Sequence, residues 1–203
     1  MSTYVKSKVV FTGDAAVGKT SIIYKYKEIN EKVQATIVAS SISCEVDYNG
    51  KKVTLNVWDT AGQDDYRVLV PVYARAAQIG VIVFDQTSYE SLEHVTEWYT
   101  FLSNISDIPY IVLVQNKIDL PPAEGVTDDA VFEIASKLGI GDRVYKTSAK
   151  DGQNIDILFY ALADLVEQCE PSDTPENVIT FPTPPALSEK PTEETSGKDK
   201  KCC

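Results

Sequence analysis

Positive charge is scarce in this chain. It has 19 Lys and Arg against 30 Asp and Glu, a formal net charge of −11. That balance argues against nucleic acid as a partner, which needs a basic face, and against unaided docking on an anionic lipid surface. Long apolar runs are also missing, and none approaches the roughly 18 residues of a membrane span. The start carries no basic-then-apolar leader. Cysteine is limited to Cys44, Cys169, Cys202 and Cys203. None is spaced from another like a zinc half-site, apart from the adjacent last two, and reduced thiols in a cytosolic setting are expected. Histidine occurs once, as His94. It falls in a helical pattern and reads as a solvated surface residue.

What is present is enough for one sizeable core. The 203 residues are 43% apolar, which leaves little for a second domain. Through about residue 168 two periods alternate. Val5–Phe11 reads as a strand and Lys19–Lys27 as a helix. Ser41–Tyr48 and Val53–Trp58 read as strands joined by YNGKK, whose Asn-Gly is a hairpin signal. Ile79–Asp85 and Tyr110–Asn116 are continuous apolar runs, suited to strands buried on both faces of a mainly parallel sheet. Ser88–Ser106 and Thr127–Leu138 have helical patterns, the second ended by Gly139. In the last helix Asn154 is placed to cap, and Ile155, Leu158, Phe159, Leu162, Leu165 and Val166 share one face. Strand–helix alternation predicts a doubly wound α/β fold, with ligands at the carboxyl ends of the strands. From Glu170 to Lys201, six prolines among Ser, Thr and Glu offer little to bury and predict a disordered tether.

The chemistry is concentrated at strand ends. Gly13-Asp14-Ala15-Ala16-Val17-Gly18-Lys19-Thr20 fits G-x-x-x-x-G-K-[ST]. The glycines permit a wrapped loop whose amides face an anion, and the following helix presents its positive end. Lys19 can reach the β- and γ-phosphates, and the Thr20 hydroxyl can ligate Mg²⁺. The loop does not say which base is bound. Asn116-Lys117-Ile118-Asp119 follows a strand directly. Asp119 only accepts hydrogen bonds, and guanine offers two adjacent donors where adenine does not. A desolvated, unpaired carboxylate would reject ATP. Ser148-Ala149-Lys150 follows a short strand and can close the base pocket. Asp59 ends a strand in WDTAGQ, Gly62 leaves room for backbone near a γ-phosphate, and Gln63 has the donor and acceptor that position a water.

Taken together, GDAAVGKTS, WDTAGQ, NKID and TSAK, in this order and spacing, resemble the Ras-superfamily small GTPases. Within that superfamily they resemble the Rab family, a likeness that extends to the terminal Cys-Cys. YRVLVPVYARAAQ most resembles the early-endosomal Rab subgroup. The resemblance covers about residues 5–168. It implies an α/β P-loop NTPase domain over 1–168, with a mostly parallel six-stranded sheet carrying one antiparallel strand. Residues 169–203 would be a hypervariable tail. It further implies a phosphate site of Gly13, Ala15, Ala16, Val17, Gly18, Lys19, Thr20 and Ser21, with Gly62 donating to the γ-phosphate. Mg²⁺ would be held by Thr20, Thr36 and Asp59, the base by Asn116, Lys117, Asp119, Ser148, Ala149 and Lys150, and the attacking water by Gln63. GTP and GDP are the implied ligands. The implied partners are an exchange factor, a GTPase-activating protein, effectors, and prenylation escort and dissociation-inhibitor proteins, acting on a monomer. Lipids on Cys202 and Cys203 would anchor it peripherally on the cytosolic face of an intracellular membrane, since two lipids hold where one is marginal. Lys198, Lys200 and Lys201 lie beside them, and the tether spans roughly 30 Å. Intrinsic turnover in this class is of order 10⁻⁴ s⁻¹.

The sequence departs from the family pattern at several places. Ala15 stands where Gly or Ser is usual, and its methyl could crowd the catalytic glutamine. Lys19–Thr36 is about two residues short and lacks the aromatic over the guanine, with Ile29 the nearest candidate. Lost stacking would weaken base binding by ~1–3 kcal/mol. Val38, Ser41, Asp64 and Asp65 alter the switch surfaces, while Trp58 is retained. These departures motivate an alternative, a GTP-binding scaffold that hardly turns over. A P-loop ATPase or nucleotide kinase is a third reading, against which Asp119 and the absence of an obvious lid segment weigh.

Overall fold

The computed structural model describes residues 6–30, 36, 39–62, 70–105 and 107–169. Gln63, Val38, Asp64, Asp65, the start of YRVLVPVYARAAQ, the proline-rich segment, Cys202 and Cys203 lie outside the described residues.

The elements run β1 (Lys6–Thr12), α1 (Lys19–Tyr26), β2 (Ala39–Tyr48), β3 (Lys51–Thr60), α2 (Val70–Ala74), β4 (Ile79–Asp85), α3 (Tyr89–Glu93), α4 (Val95–Ile105), β5 (Tyr110–Asn116), α5 (Asp128–Lys137), β6 (Val144–Lys146) and α6 (Ile155–Gln168). The six-stranded sheet has the order β2-β3-β1-β4-β5-β6. Every adjacent pair is parallel except β2–β3. The predicted mixed, doubly wound architecture is therefore the observed one.

Side-chain alternation along the central strands shows why these runs are apolar throughout. Val9, Phe11, Val81, Val83, Val112 and Val114 face one side, where they meet Ile22 and Ile23 of α1 and Leu158, Phe159 and Leu162 of α6. Val10, Ile82, Phe84, Ile111 and Leu113 face the other, where Leu92, Val95, Trp98 and Leu102 of α3 and α4 and Val131 and Ala135 of α5 cover them. Successive strand residues point to opposite faces, so a strand covered on both sides needs no polar position. The β2–β3 turn places Asn49 at φ 49° and Gly50 at φ 76°, the left-handed pair that matches strand twist in a tight hairpin.

Two local expectations differ from the structure. Asn154 precedes α6 in a left-handed conformation (φ 60°) and makes no side-chain cap. Its amide instead donates to the Lys146 carbonyl at 2.8 Å, tying β6 to α6, because asparagine tolerates this backbone region. The helix over Ser88–Ser106 is divided at His94, although His94 N–H still donates to Glu90 O and Trp98 N–H to His94 O, both at 3.0 Å. Ser88 caps its start by accepting from Ser91 N–H. The short helix α2, with Pro71 inside it, has too few residues to show a period.

Candidate functional site

The motif residues that the structure describes gather at the carboxyl ends of β1, β3, β5 and β6, and Thr36, ahead of β2, joins them through Asp59. In the loop after β1, Gly13 stands at φ 131°, and a β-carbon there would run into the Val83 carbonyl. Ala16 (φ 61°) and Gly18 (φ 101°) are left-handed, the kind of turn that forms an amide nest. Gly18 begins α1 without a side-chain cap, and the first turn holds no acidic residue, so nothing acidic there offsets the helix's positive end. Lys19 is 6% exposed, and its Nζ donates to the carbonyls of Gly13 at 2.8 Å and Asp14 at 2.7 Å. Burial pushes this ammonium down to about 8, with Asp59 and Asp14 opposing the shift. Such a group gains by meeting an anion.

β3 runs parallel to β1 with Phe11 opposite Asp59, which sets Asp59 beside the exit into the phosphate loop. Asp59 Oδ2 accepts from Thr20 Oγ1 at 2.6 Å and from Thr36 Oγ1 at 3.1 Å, and the two hydroxyls are 3.0 Å apart. Its other oxygen, Oδ1, is buried with no partner among the described residues. Burial pushes the carboxyl upward, against the pull of Thr20, Lys19 and Thr36. Two hydroxyls converging on a buried carboxylate with an unmatched oxygen form a hard-oxygen set of the kind Mg²⁺ prefers. No group of three or more His, Cys, Asp or Glu suited to a metal occurs among the described residues, and the Thr20–Thr36–Asp59 set is of another kind. Gly62 packs directly on this loop, since a β-carbon would collide with the Asp14 carbonyl and the Ala15 nitrogen.

Beside the phosphate loop lies a cleft of about 500 Å³. It is lined by Ala16, Gly18, Ser21, Tyr24, Lys25, Ile29, Asn116, Lys117, Asp119, Leu120, Ala149 and Lys150. Asn116 is buried and ties three loops. Its Nδ2 donates to Val17 O at 2.9 Å, and its Oδ1 accepts from Thr147 Oγ1 and Ala149 N–H, both at 3.2 Å. Lys117 is left-handed (φ 66°), and its Nζ lies 2.5 Å from Asp85 Oδ2. Thr87 donates to the other Asp85 oxygen through N–H and Oγ1, each at 2.8 Å. Asp119 accepts from Ser148 Oγ at 2.8 Å and faces Lys150 Nζ at 3.5 Å. The serine bond, more than the lysine, lowers its pKa from the usual carboxylate value. Ser148 is fully buried and does not line the cleft, so it orients Asp119 from behind.

Asp85, Asp14, His94 and Trp98 join the site without having been singled out for it. Asp85 was findable, because it ends an apolar strand level with Asn116. His94 is half-buried rather than freely solvated. Its Nδ1 lies 2.7 Å from Asp14 Oδ2, and Trp98 Nε1 donates to Asp14 Oδ1 at 2.8 Å. The second residue of the phosphate loop is thereby lashed to α4. The Asp14 bond raises the His94 pKa, with burial opposing.

Comparison with known proteins agrees with this arrangement. The model described as "Ras family" matches residues 8–168. The chain is 37% identical over 170 residues to the Ras-related protein Rab-21 of Geodia cydonium, covering 82% of this chain and 73% of that protein. It is 30% identical over 202 residues to the Ras-related protein Rab5 of Nicotiana tabacum, covering 98% and 96%. With the Ras-related protein Rab-27B of Homo sapiens it shares 35% over 190 residues, covering 84% and 86%. The phosphate loop, the buried oxygen cluster and the adjoining cleft thus stand on a chain that belongs to the Ras family, as a Rab-type small GTPase of vesicle trafficking.

Proposed function

We propose that the chain binds GTP and GDP with Mg²⁺, hydrolyses GTP, and works as a membrane-anchored switch. One observation carries this reading. A single cleft is lined both by the phosphate loop (Ala16, Gly18, Ser21) and by the base-reading segment (Asn116, Lys117, Asp119). A nucleotide lying along it would set its base against Asp119 and its phosphates against Lys19 and the left-handed turns of the loop. Thr20, Thr36 and Asp59 would hold Mg²⁺, which when bound neutralises charge on the phosphate oxygens. Lys19 takes up phosphate charge from inside the loop. Gly62, seated on Asp14 and Ala15, brings its N–H to the γ-phosphate, and Gln63 orients the attacking water. Loss of the γ-phosphate releases the segments carrying Thr36 and Gly62, and partners read that change.

Turnover by the chain alone is slow, of order 10⁻⁴ s⁻¹, and an arginine-donating partner sets the timing by raising it up to ~10⁵-fold. Residues 1–168 form the G domain and 169–203 the tail. Lipids on Cys202 and Cys203 hold it on the cytosolic face of an intracellular membrane, an endosomal one on the likeness to Rab5 and Rab-21. The partners are an exchange factor, an activating protein, effectors, and the escort and dissociation-inhibitor proteins of prenylation. One observation favours the scaffold reading. Gly62 already abuts the Ala15 backbone nitrogen, so the departure at position 15 falls where the phosphate loop meets the residue before Gln63.

Mass spectrometry of the nucleotide that co-purifies with the protein tests the central reading, with GDP or GTP expected. Adenine nucleotide, or no uptake when guanine nucleotide and Mg²⁺ are supplied, overturns it. Single-turnover phosphate release from pre-bound GTP separates switch from scaffold.

A further inference from the structure

Directly behind the base-reading segment lie two buried carboxamides that the proposed reaction does not use. Gln86 follows the last residue of β4 and is 6% exposed, and Gln115 sits on β5, one residue before Asn116, at 4%. Neither lines the cleft. Gln86 nevertheless grips the 116–123 segment at three points. Its N–H donates to the Asn116 carbonyl at 3.1 Å, and its carbonyl accepts from Ala123 N–H at 2.8 Å. Its side-chain Nε2 donates to the carbonyl of Leu120, the residue after Asp119. The acceptor end is held as well, because Gln115 Nε2 donates to Gln86 Oε1 at 2.9 Å. The orientation is forced. The Leu120 carbonyl can only accept, so Gln86 must turn its NH₂ toward it and its oxygen toward Gln115.

This arrangement is a poor way to gain stability. Two carboxamides are desolvated, and Gln115 Oε1 remains buried with no partner among the described residues. Leucines of similar bulk would fill the space without that cost. What the pair supplies is position.

We propose that Gln86 is a positioning residue for base recognition. Acting through the Leu120 carbonyl, with Gln115 fixing its amide, it sets where the Asp119 carboxylate stands. The inference rests on the guanine reading above and deepens it. The contact that depends most on placement is the one to the exocyclic amine of guanine, which inosine nucleotides lack.

The test compares the wild type with Gln86→Leu and with the double variant Gln86→Leu/Gln115→Leu, which removes both amides together and orphans neither. Three quantities are read on full-length protein: the release rate of a fluorescent GDP, the GDP/IDP affinity ratio, and single-turnover hydrolysis of pre-bound GTP. The expected result in both variants is GDP release faster by about tenfold, the effect of one buried hydrogen bond, with a GDP/IDP ratio that falls toward one. Hydrolysis of GTP already bound stays within about twofold, because the phosphate loop is untouched. The double variant recovers thermal stability relative to Gln86→Leu but not the ratio. A folded double variant with an unchanged GDP/IDP ratio overturns the proposal. So does an equal loss of GDP and IDP affinity that tracks the melting temperature, which marks a purely structural pair. A wild type with no preference for GDP over IDP sinks the guanine reading itself, and is seen before any variant is made.

Discussion

Replacing Asp119 by asparagine probes the base site most directly. The neighbouring groups decide which way the new amide points. Ser148 Oγ accepts from Asp151 N–H at 3.1 Å, so its own proton is committed to residue 119, at 2.8 Å. The introduced asparagine must therefore present its carbonyl oxygen to Ser148, which leaves its NH₂ aimed where the second carboxylate oxygen had been. That oxygen now faces Lys150 Nζ at 3.5 Å and is the one free to take the guanine donors. The substitution replaces an acceptor with a donor against guanine, so charge-assisted bonds are lost and donor meets donor. GDP affinity should fall by on the order of a hundredfold to ten-thousandfold. Xanthine diphosphate, with a carbonyl at the corresponding edge, should gain. Displacement of a fluorescent nucleotide by GDP and by XDP measures the exchange. A preference that moves by less than about tenfold would refute the geometry, since that is less than one such bond contributes.

Three further outcomes are expected. Asp85→Asn removes the anion 2.5 Å from Lys117 Nζ. Nucleotide release should quicken by about tenfold, the effect of one charged hydrogen bond, and an unchanged release rate shows that Lys117 holds its place unaided. His94→Gln should alter stability in a pH-dependent way. The folded-state pKa is raised, chiefly by Asp14, so the protonated pair stabilises fully below the unfolded value near 6.5 and fades as pH rises through the folded value. The variant should lose about 1 kcal/mol more at acidic than at alkaline pH in urea unfolding, a modest figure because the ring is partly exposed, and equal losses at the two pH values would dismiss the ion pair. Gly13→Ala meets both a left-handed backbone at φ 131° and the Val83 carbonyl. It should cost about 2 kcal/mol or more, visible as a lowered melting midpoint, and an unshifted midpoint contradicts the strain argument.

How much the sequence disclosed depends on the range of the interaction. Ile79–Asp85 and Tyr110–Asn116 were legible to the residue, because strands covered on both faces are apolar up to the polar residues at their carboxyl ends. The α6 stripe was equally plain, and each of its six apolar positions is buried. The nucleotide-site motifs could be read because each is a short local string at a strand end. Residues acting through other residues could not. His94 looked solvated because its partner Asp14 is 80 positions away, and the Gln86–Gln115 bond spans 29 positions. Asn154 has the residue type of a cap, but a competing acceptor on β6 took its amide.

The sheet also works as a gauge. The phosphate loop leaves β1 and the base segment leaves β5, with only β4 between them. Two inter-strand steps put the exits about 10 Å apart, a spacing set by backbone hydrogen bonding that no side-chain change can stretch. A free base or a lone phosphate reaches only one end of that span. Only a molecule joining the two at the matching length gains from both ends at once, and its second contact then forms at the high local concentration of a tethered group.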